Sequence, residues 1–287
     1  MIHDKTIFLI LDLKDKVVLI TGASSGIGAA TALEFNKEGA KLAIAARRKD
    51  KLEAIAAKLN DPLILNVDIT IEEQLRLMIT ETIRHYGRID ILINNAASII
   101  VSPAKPVSAD DLLKAYKTNL LAPVLATQLV IESMKKNGGG QIINIGSPGF
   151  MMGVPFYAPY AITKAALSGW TRTIQAELSE SGIFVSEFFP GYVKIESRPE
   201  SRIGEVEQDF LMAEKQNFLV KYFTKPDTPE KIARQLVQLA KKPKILVCSG
   251  FSTRLGTYLS NIPGFRLSVA KKLAENARRK KKDSFPI

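Results

Sequence analysis

The chain has 287 residues, of which 46% are hydrophobic and 24% are charged, which is typical of a globular protein with a large core. Its single cysteine, Cys248, excludes a disulfide within the chain, and two histidines are too few for the usual zinc clusters. No apolar run reaches the roughly 18 residues that span a bilayer, and the N-terminus lacks a signal-peptide pattern. We therefore expect a cytoplasmic protein that binds no metal.

The net charge of +11 is concentrated near the C-terminus. Between Lys271 and Lys282 there are seven basic residues and one acidic residue. Such a run is typical of a solvated tail, and it would also suit peripheral contact with an anionic membrane surface. Nucleic acid is disfavoured as a partner, because no recognised binding module and no stacking aromatic pattern accompanies the charge.

Short β-branched runs alternate with longer helical patterns along most of the chain. This alternation predicts an α/β fold, a doubly wound parallel sheet of about seven strands with helices on both faces. The predicted buried strands are 17–21, 42–45, 63–66, 91–94, 142–145, 184–189 and 245–247, and the main predicted helices are 27–38, 50–59, 72–86, 109–136 and 160–181.

We expect one domain over residues 1–287, since no repeat or low-complexity linker divides the chain. The sheet and its helices would occupy residues 14–250. Residues 192–228 break the rhythm and carry many charges, which favours a lid over one end of the sheet. Residues 250–287 would form a basic C-terminal extension.

A glycine-rich turn joins the first strand to the first helix. Glycines allow a sharp turn and let backbone N–H groups approach a pyrophosphate, while the helix N-terminus adds its positive dipole. A tight turn without a ligand is the plainer alternative, but a strand before the glycines and a helix after them favour phosphate binding. The cofactor-binding residues predicted here are Gly22, Ser24, Ser25, Gly26, Ile27 and Gly28.

Thr21-Gly22-x-x-x-Gly26-Ile27-Gly28 resembles the T-G-x-x-x-G-I-G signature of short-chain dehydrogenases/reductases. The resemblance covers about residues 14 to 195, and it implies a Rossmann-type fold and a nicotinamide cofactor. Asp68 and Ile69 match the family's adenine-contacting segment, although Asp68 would serve equally as a turn residue. Further cofactor contacts implied by the resemblance are Asn95, Ala96, Pro190, Gly191 and Val193.

Two departures from the family pattern lie among these contacts. Ala97 replaces the glycine of the family's N-N-A-G. Ile195 stands where the family often has a threonine that binds the carboxamide, so Ser197 or the backbone must substitute, or the contact is absent.

The end of the second strand indicates the type of nicotinamide cofactor. An acidic residue there would accept from the 2′-hydroxyl of NAD, whereas arginine pairs with the 2′-phosphate of NADP. The chain has Arg47 and Arg48 at this place, with Arg47 19 residues after Gly28. Solvated surface arginines are the alternative, and we predict NADP(H).

Tyr160 and Lys164 are four residues apart, so they would lie on one face of a helix. An ammonium beside a phenol stabilises the phenolate, which makes Tyr160 a candidate general acid or base. Alone, this pair would be a surface feature, but the resemblance adds Ser147 as the substrate-orienting serine and Asn119 as the catalytic asparagine. It implies that Tyr160 protonates the carbonyl oxygen, Lys164 holds the ribose and Asn119 fixes a water relay, and that Tyr160 and Lys164 both contact the cofactor. Asn119 is a poor residue for a helix interior, so we expect a local distortion there.

The segment between Ser147 and Tyr160 predicts the substrate class. It reads as a loop rich in phenylalanine and methionine, which suits an apolar substrate, although it would also suit packing beneath the lid. We predict contacts from Ser147, Phe150, Tyr157 and Tyr160 to a hydrophobic ketone or secondary alcohol, such as a steroid, a lipid-derived or an aromatic carbonyl. By analogy with the family, the protein would be a homodimer or homotetramer.

Two other functions fit the same motifs. A 3-oxoacyl reductase of fatty-acid metabolism shares all of them, although its acidic carrier protein would favour basic residues near the site rather than at the C-terminus. A non-catalytic NADP-binding sensor or scaffold would need the glycine turn, but it would not need Asn119, Ser147, Tyr160 and Lys164 together.

Overall fold

The computed structural model describes residues 11–100, 107–193, 226–268 and 271. Within them the strands are β1 (Val17–Thr21), β2 (Lys41–Ala46), β3 (Leu63–Asn66), β4 (Ile91–Asn94), β5 (Gly140–Ile145), β6 (Ile183–Phe189) and β7 (Leu246–Cys248). They form one seven-stranded sheet in the order β3-β2-β1-β4-β5-β6-β7, and every pairing is parallel. The predicted doubly wound fold is confirmed. The strand order reverses between β1 and β4, and in such sheets ligands bind at the carboxyl ends of the strands beside this point.

Helices cover both faces of the sheet. They are α1 (Gly26–Lys37), α2 (Lys49–Ala56), α3 (Glu72–Tyr86), α4 (Ala109–Tyr116), α5 (Ala122–Lys136), α6 (Gly149–Met152), α7 (Ala158–Glu177), α8 (Pro229–Lys241) and α9 (Phe251–Leu259). Successive residues of a strand point to opposite faces, so Val18 and Ile20 pack with α1, α2 and α8, while Leu19 packs with α3, α5 and α7.

Two predicted strands are less buried than we expected. β3 and β7 lie at the two edges of the sheet, where Ile64 is 42% exposed and Leu246 is 41% exposed. An edge strand has a neighbour on one side only, and the flanking helices cover it incompletely. The prediction that these two strands are buried was therefore wrong, although their positions were close.

Three other expectations need adjustment. Residues 109–136 are helical throughout, but a π-helical turn, Lys117–Leu121, separates α4 from α5. The segment before Tyr160 was expected to be a loop, yet it contains the short helix α6. Helix α7 begins at Ala158, because Pro159 suits a first turn, where its missing N–H costs no hydrogen bond.

The ends of the predicted lid are visible, but residues 194–225 lie outside the described part of the chain. The same holds for residues 272–287, which contain most of the basic tail. Of the C-terminal extension, the structure gives α9, which carries the exposed Phe251 and Tyr258. No helix in the described ranges is long and apolar enough to cross a membrane.

Candidate active site

The glycine turn between β1 and α1 is packed so tightly that two positions admit only glycine. Gly22 has a φ of +71°, and a β-carbon there would lie 2.8 Å from the Ala96 Cα. A β-carbon at Gly28 would lie 2.3 Å from the Gly22 carbonyl oxygen and 2.5 Å from the Asn95 Nδ2. The Asn95 amide donates to the carbonyl oxygens of Thr21 and Gly22 at 2.9 and 3.3 Å, which ties the end of β4 to the turn.

This turn suits the pyrophosphate of a dinucleotide. Ser25 is the N-cap of α1, and its side chain makes no capping hydrogen bond. The first N–H groups of a helix have no partner within the helix, so those of α1 can meet an anion, aided by the helix dipole. The Thr21 hydroxyl accepts from the backbone N–H groups of Asn95 and Ala96 at 3.1 and 3.2 Å, which holds the backbone after β4 at the end of β1.

The two arginines after β2 have different surroundings. The Arg48 Nη2 donates to the Ser24 Oγ at 3.1 Å and also to the Ser25 Oγ, so its guanidinium lies on the glycine turn. Arg47 is more than half exposed, and its Nη1 lies 3.7 Å from the Asp68 Oδ2. The structure thus brings Arg48 to the glycine turn, whereas Arg47 lies beside Asp68.

Asp68 also shapes the turn after β3. Its Oδ1 accepts from the Thr70 N–H at 2.9 Å and from the Thr70 hydroxyl at 2.8 Å, while Ile69 packs against the core. The other carboxylate oxygen, Oδ2, faces Arg47. Asp68 therefore stabilises this turn, which is one of the two roles that the sequence predicts for it. The other role, a contact with the adenine of the cofactor, stays a proposal.

Asn119 lies in the π-helical turn and is completely buried. Its Oδ1 accepts from the Ser98 N–H at 2.7 Å, and its Nδ2 donates to the Ser98 carbonyl oxygen at 2.8 Å and to the Thr163 Oγ1 at 3.1 Å. The expected local distortion is present, and single π-turns occur frequently at functional sites. Asn119 joins the segment after β4 to the helix that carries Tyr160 and Lys164.

Lys164 is buried beside Tyr160. Its Nζ donates to the Ile145 carbonyl oxygen at 2.7 Å and lies 5.8 Å from the centre of the Tyr160 ring. Burial lowers the pKa of Lys164 to about 8, and the charge of Glu187 opposes this change. The anchor of Lys164 is thus the last residue of β5, two residues before Ser147.

The other predicted substrate residues lie in the segment between β5 and α7. The Ser147 Oγ accepts from the Gly149 N–H at 3.2 Å, at the start of α6. The Tyr157 ring lies 6.4 Å from the Tyr160 ring, in an edge-to-face arrangement. Phe150 packs edge-to-face on Phe189, with 6.1 Å between ring centres. The structure therefore gathers these residues at the carboxyl ends of β5 and β6.

A buried carboxyl group near Lys164 was not predicted from the sequence. Glu187 lies on β6, and its Oε2 accepts from the Ser168 hydroxyl at 3.1 Å. Its Oε1 is buried without a hydrogen-bond partner among the described residues. Burial raises the pKa of Glu187, while the Ser168 hydrogen bond and the charges of Arg172 and Lys164 act in the opposite direction. The sequence does contain a signal for it, because Glu187 is the one charged residue in a strand of mostly apolar residues.

The turn after β6 contains the last predicted cofactor residues. Pro190 and Gly191 follow Phe189 directly, and Val193 is buried. Two further residues that we did not predict, Asp227 and Ser249, contact this turn. Ile195, which stands where the family often has the carboxamide-binding threonine, and Ser197, its proposed substitute, lie outside the described residues.

Residues 16–205 match the family model described as short chain dehydrogenase. An 11-beta-hydroxysteroid dehydrogenase-like protein of Arabidopsis thaliana is 36% identical over 209 residues, which cover 71% of this chain and 66% of that protein. A 3-oxoacyl-(acyl-carrier-protein) reductase of Thermotoga maritima is 34% identical over 188 residues, which cover 63% of this chain and 76% of that protein.

A solved structure shares the fold over most of the chain. It is a 7 alpha-hydroxysteroid dehydrogenase in complex with NADH and 7-oxo glycochenodeoxycholic acid, with a TM-score of 0.72 and 28% identity. The match covers 84% of this chain and 96% of that chain. The parallel sheet, the glycine turn and these similarities agree, and the protein belongs to the short-chain dehydrogenase family of oxidoreductases.

Proposed function

We propose that the protein transfers a hydride between NADP(H) and a hydrophobic ketone or secondary alcohol. The observation that carries this proposal is the pairing of Tyr160 with the buried Lys164 at the carboxyl ends of the strands, where the glycine turn also lies. A protonated lysine beside a tyrosine favours the phenolate, so Tyr160 can give a proton to a carbonyl oxygen or take one from an alcohol.

The residues of the chain fit a nicotinamide dinucleotide. The turn from Gly22 to Gly28 would hold the pyrophosphate, and the turn from Pro190 to Val193 would lie beside the nicotinamide. When bound, the cofactor would supply or accept the hydride. Ser147 would hydrogen-bond the substrate oxygen, and Lys164, fixed on Ile145, would hold the ribose and keep its charge close to Tyr160.

Asn119 would act through its backbone rather than its side chain. Ser98 and Thr163 already occupy the side-chain amide. The π-helical turn interrupts the regular hydrogen-bond ladder at this point, which can free backbone groups for a water molecule. We therefore place the proposed water relay at the backbone of Lys117–Leu121.

The preference for NADP(H) rests on Arg47 and Arg48, and replacing either by alanine should weaken it. We expect the preference for NADPH over NADH to fall by about 1–3 kcal/mol, the value of a hydrogen bond to a charged group. Arg48→Ala should have the larger effect, because Arg48 already lies on the hydroxyls of the glycine turn. Isothermal titration calorimetry with both cofactors would measure it.

A matched control is Arg76→Ala, which removes an exposed arginine that pairs with Glu72 on α3. Its affinities for both cofactors should equal those of the wild type. Tighter binding of NADH than of NADPH by the wild-type protein would contradict the arginine argument while leaving the enzyme class in place.

Two observations support a hydrophobic substrate: the apolar side chains on α6, and the names of the proteins to which the chain is similar. Phe150, Met151 and Met152 are partly exposed on α6, between Ser147 and Tyr160. Methionine adapts to irregular apolar ligands, and each buried methylene adds about 0.8 kcal/mol. A hydroxysteroid dehydrogenase-like protein is among the similar sequences, and a hydroxysteroid dehydrogenase is among the similar structures.

With NADPH, kcat/KM should therefore rise with the apolar area of the ketone, and small sugars should be poor substrates. The measurement is NADPH oxidation at 340 nm with a steroid ketone, an aromatic ketone and an aldose. A 3-oxoacyl thioester belongs in the same series, because a 3-oxoacyl reductase is among the relatives. Turnover of the thioester alone would favour that second function, and turnover of the sugar alone would contradict the hydrophobic class.

We further propose that the protein forms homodimers or homotetramers through α4 and α7. Leu113 and Tyr116 of α4 and Ile162 of α7 are large apolar side chains exposed to solvent, which suits contact with a second copy. Peripheral contact of the basic tail with an anionic membrane also remains a proposal, as does a cytoplasmic location.

A further inference from the structure

Two residues from the C-terminal part of the chain hold the turn that follows β6. The Gly191 N–H donates to the Ser249 Oγ at 2.6 Å, and the Ser249 hydroxyl donates to the Asp227 Oδ2 at 2.8 Å. The Asp227 N–H donates to the Tyr192 carbonyl oxygen at 2.7 Å. A backbone donor and a backbone acceptor of the turn are thus fixed by residues 36 or more positions away from Gly191 along the chain.

The negative charge of the Asp227 carboxylate determines which way the Ser249 hydroxyl points. The Asp227 Oδ1 pairs with the Lys231 ammonium, so the carboxylate is held on the first turn of α8. Ser249 is buried, and its proton is directed at the carboxylate. Its oxygen is therefore left to accept from the Gly191 N–H, and a serine polarised by a carboxylate accepts more strongly than a free one.

The turn also has no room for a side chain at Gly191. A β-carbon at Gly191 would lie 2.8 Å from the Asp227 Oδ2 and 3.1 Å from both the Ser249 Oγ and the Thr253 Oγ1. Three side-chain oxygens thus surround the place that a side chain at Gly191 would occupy, so this position of the turn requires glycine.

The pairing with Asp227 determines which way the backbone of Val193 points. Val193 and Asp227 form an isolated parallel bridge, in which the Asp227 N–H bonds to the carbonyl oxygen of the preceding residue, Tyr192. In a parallel ladder the bridged residue directs its own N–H and C=O to the opposite side. The backbone donor and acceptor of Val193 therefore face away from Asp227. A primary carboxamide, which has one carbonyl and one amino group, matches that pair.

We propose that Asp227 and Ser249 are positioning residues for the nicotinamide end of the cofactor. They touch the turn and not the cofactor, and they hold the Val193 backbone where it can bind the carboxamide in place of the side chain that Ile195 lacks. Both residues lie outside the segment that matches the family model, residues 16–205. The inference rests on the proposed use of NADP(H).

The test compares NADPH with adenosine 2′,5′-bisphosphate, which has the adenosine and the 2′-phosphate but no nicotinamide. In calorimetric titrations, Ser249→Ala should bind NADPH about 5- to 150-fold more weakly, the effect of losing a hydrogen bond to a charged network. Its affinity for the bisphosphate should stay at the wild-type value. Asp227→Asn keeps the shape of the side chain but removes its charge. It should also weaken NADPH binding, by a smaller factor than Ser249→Ala, and leave the affinity for the bisphosphate unchanged.

The matched control is Ser260→Ala, which removes another buried serine hydroxyl, one that bonds to the Thr257 carbonyl oxygen and not to the turn. It should bind both ligands like the wild type. The positioning role would be overturned if Ser249→Ala and Asp227→Asn bound NADPH as the wild type does. It would also be overturned if they lost affinity for NADPH and for the bisphosphate by the same factor. If the wild-type protein binds neither ligand, the use of NADP(H) itself is wrong, which is a distinct result.

Discussion

Replacing Tyr160 with phenylalanine should lower kcat for carbonyl reduction by about 10²- to 10⁴-fold, the usual contribution of a general acid. The substitution keeps the ring beside Lys164, whose Nζ lies 5.8 Å from the ring centre, and removes only the group that gives the proton. NADPH affinity should change little, because the glycine turn and Lys164 remain. Steady-state kinetics with the best ketone, together with a cofactor titration, would separate the two effects.

Tyr157→Phe is the matched control for this experiment. Tyr157 lies 6.4 Å from Tyr160, in the same short stretch of chain and with a similar ring, but it has no lysine four residues later. We expect a change in KM for the ketone and a kcat near that of the wild type. Activity that persists unchanged in Tyr160→Phe, or equal losses in the two variants, would refute the assignment of Tyr160.

Most of the sheet could be predicted from the sequence because its inner strands are apolar on both faces. Val18, Leu19 and Ile20 are all completely buried, so this run predicts a strand covered by helices on both sides. The exposure of Ile64 and Leu246 could not be predicted in the same way. Whether a strand lies at an edge depends on the order of strands in the sheet, and β3 and β7 resemble inner strands in composition.

The site was predictable where its chemistry lies in contiguous motifs. The glycine turn and the Tyr160–Lys164 pair each occupy a few successive residues, so their spacing is visible in the sequence. Arg47 and Arg48 show the limit of this approach. Adjacent residues at a strand end point in different directions, and the sequence does not show that Arg48 bonds to Ser24 while Arg47 faces Asp68.

The missed residues depend on contacts between distant parts of the chain. Ser249 bonds to the backbone of Gly191, and the two are 58 positions apart. Glu187 faces Ser168 across the space between β6 and α7, although its charge in a mostly apolar strand was a usable signal. Only the folded chain brings such groups together, and a single sequence carries no record of their pairing.

Gly28→Ala should abolish measurable cofactor binding and also destabilise the protein. The new β-carbon would lie 2.3 Å from the Gly22 carbonyl oxygen and 2.5 Å from the Asn95 Nδ2, far inside van der Waals contact. The first of these atoms belongs to the backbone of the turn itself, so relief of the clash requires the turn to move. A group inserted into close-packed surroundings costs about 1–3 kcal/mol. Thermal unfolding and an NADPH titration would measure both effects.

Gly169→Ala is the control that separates this clash from a general effect of adding a methyl group to a helix. Gly169 lies within α7, and a β-carbon there would have no atom within 4 Å. Alanine should raise the stability by about 0.5–1 kcal/mol, since glycine loses more backbone freedom on folding, and cofactor affinity should not change. If Gly28→Ala bound NADPH as well as Gly169→Ala does, the dinucleotide would not lie against this turn. The close packing of Gly22, Gly28 and Asn95 would then be a purely structural feature of the junction between β1 and α1.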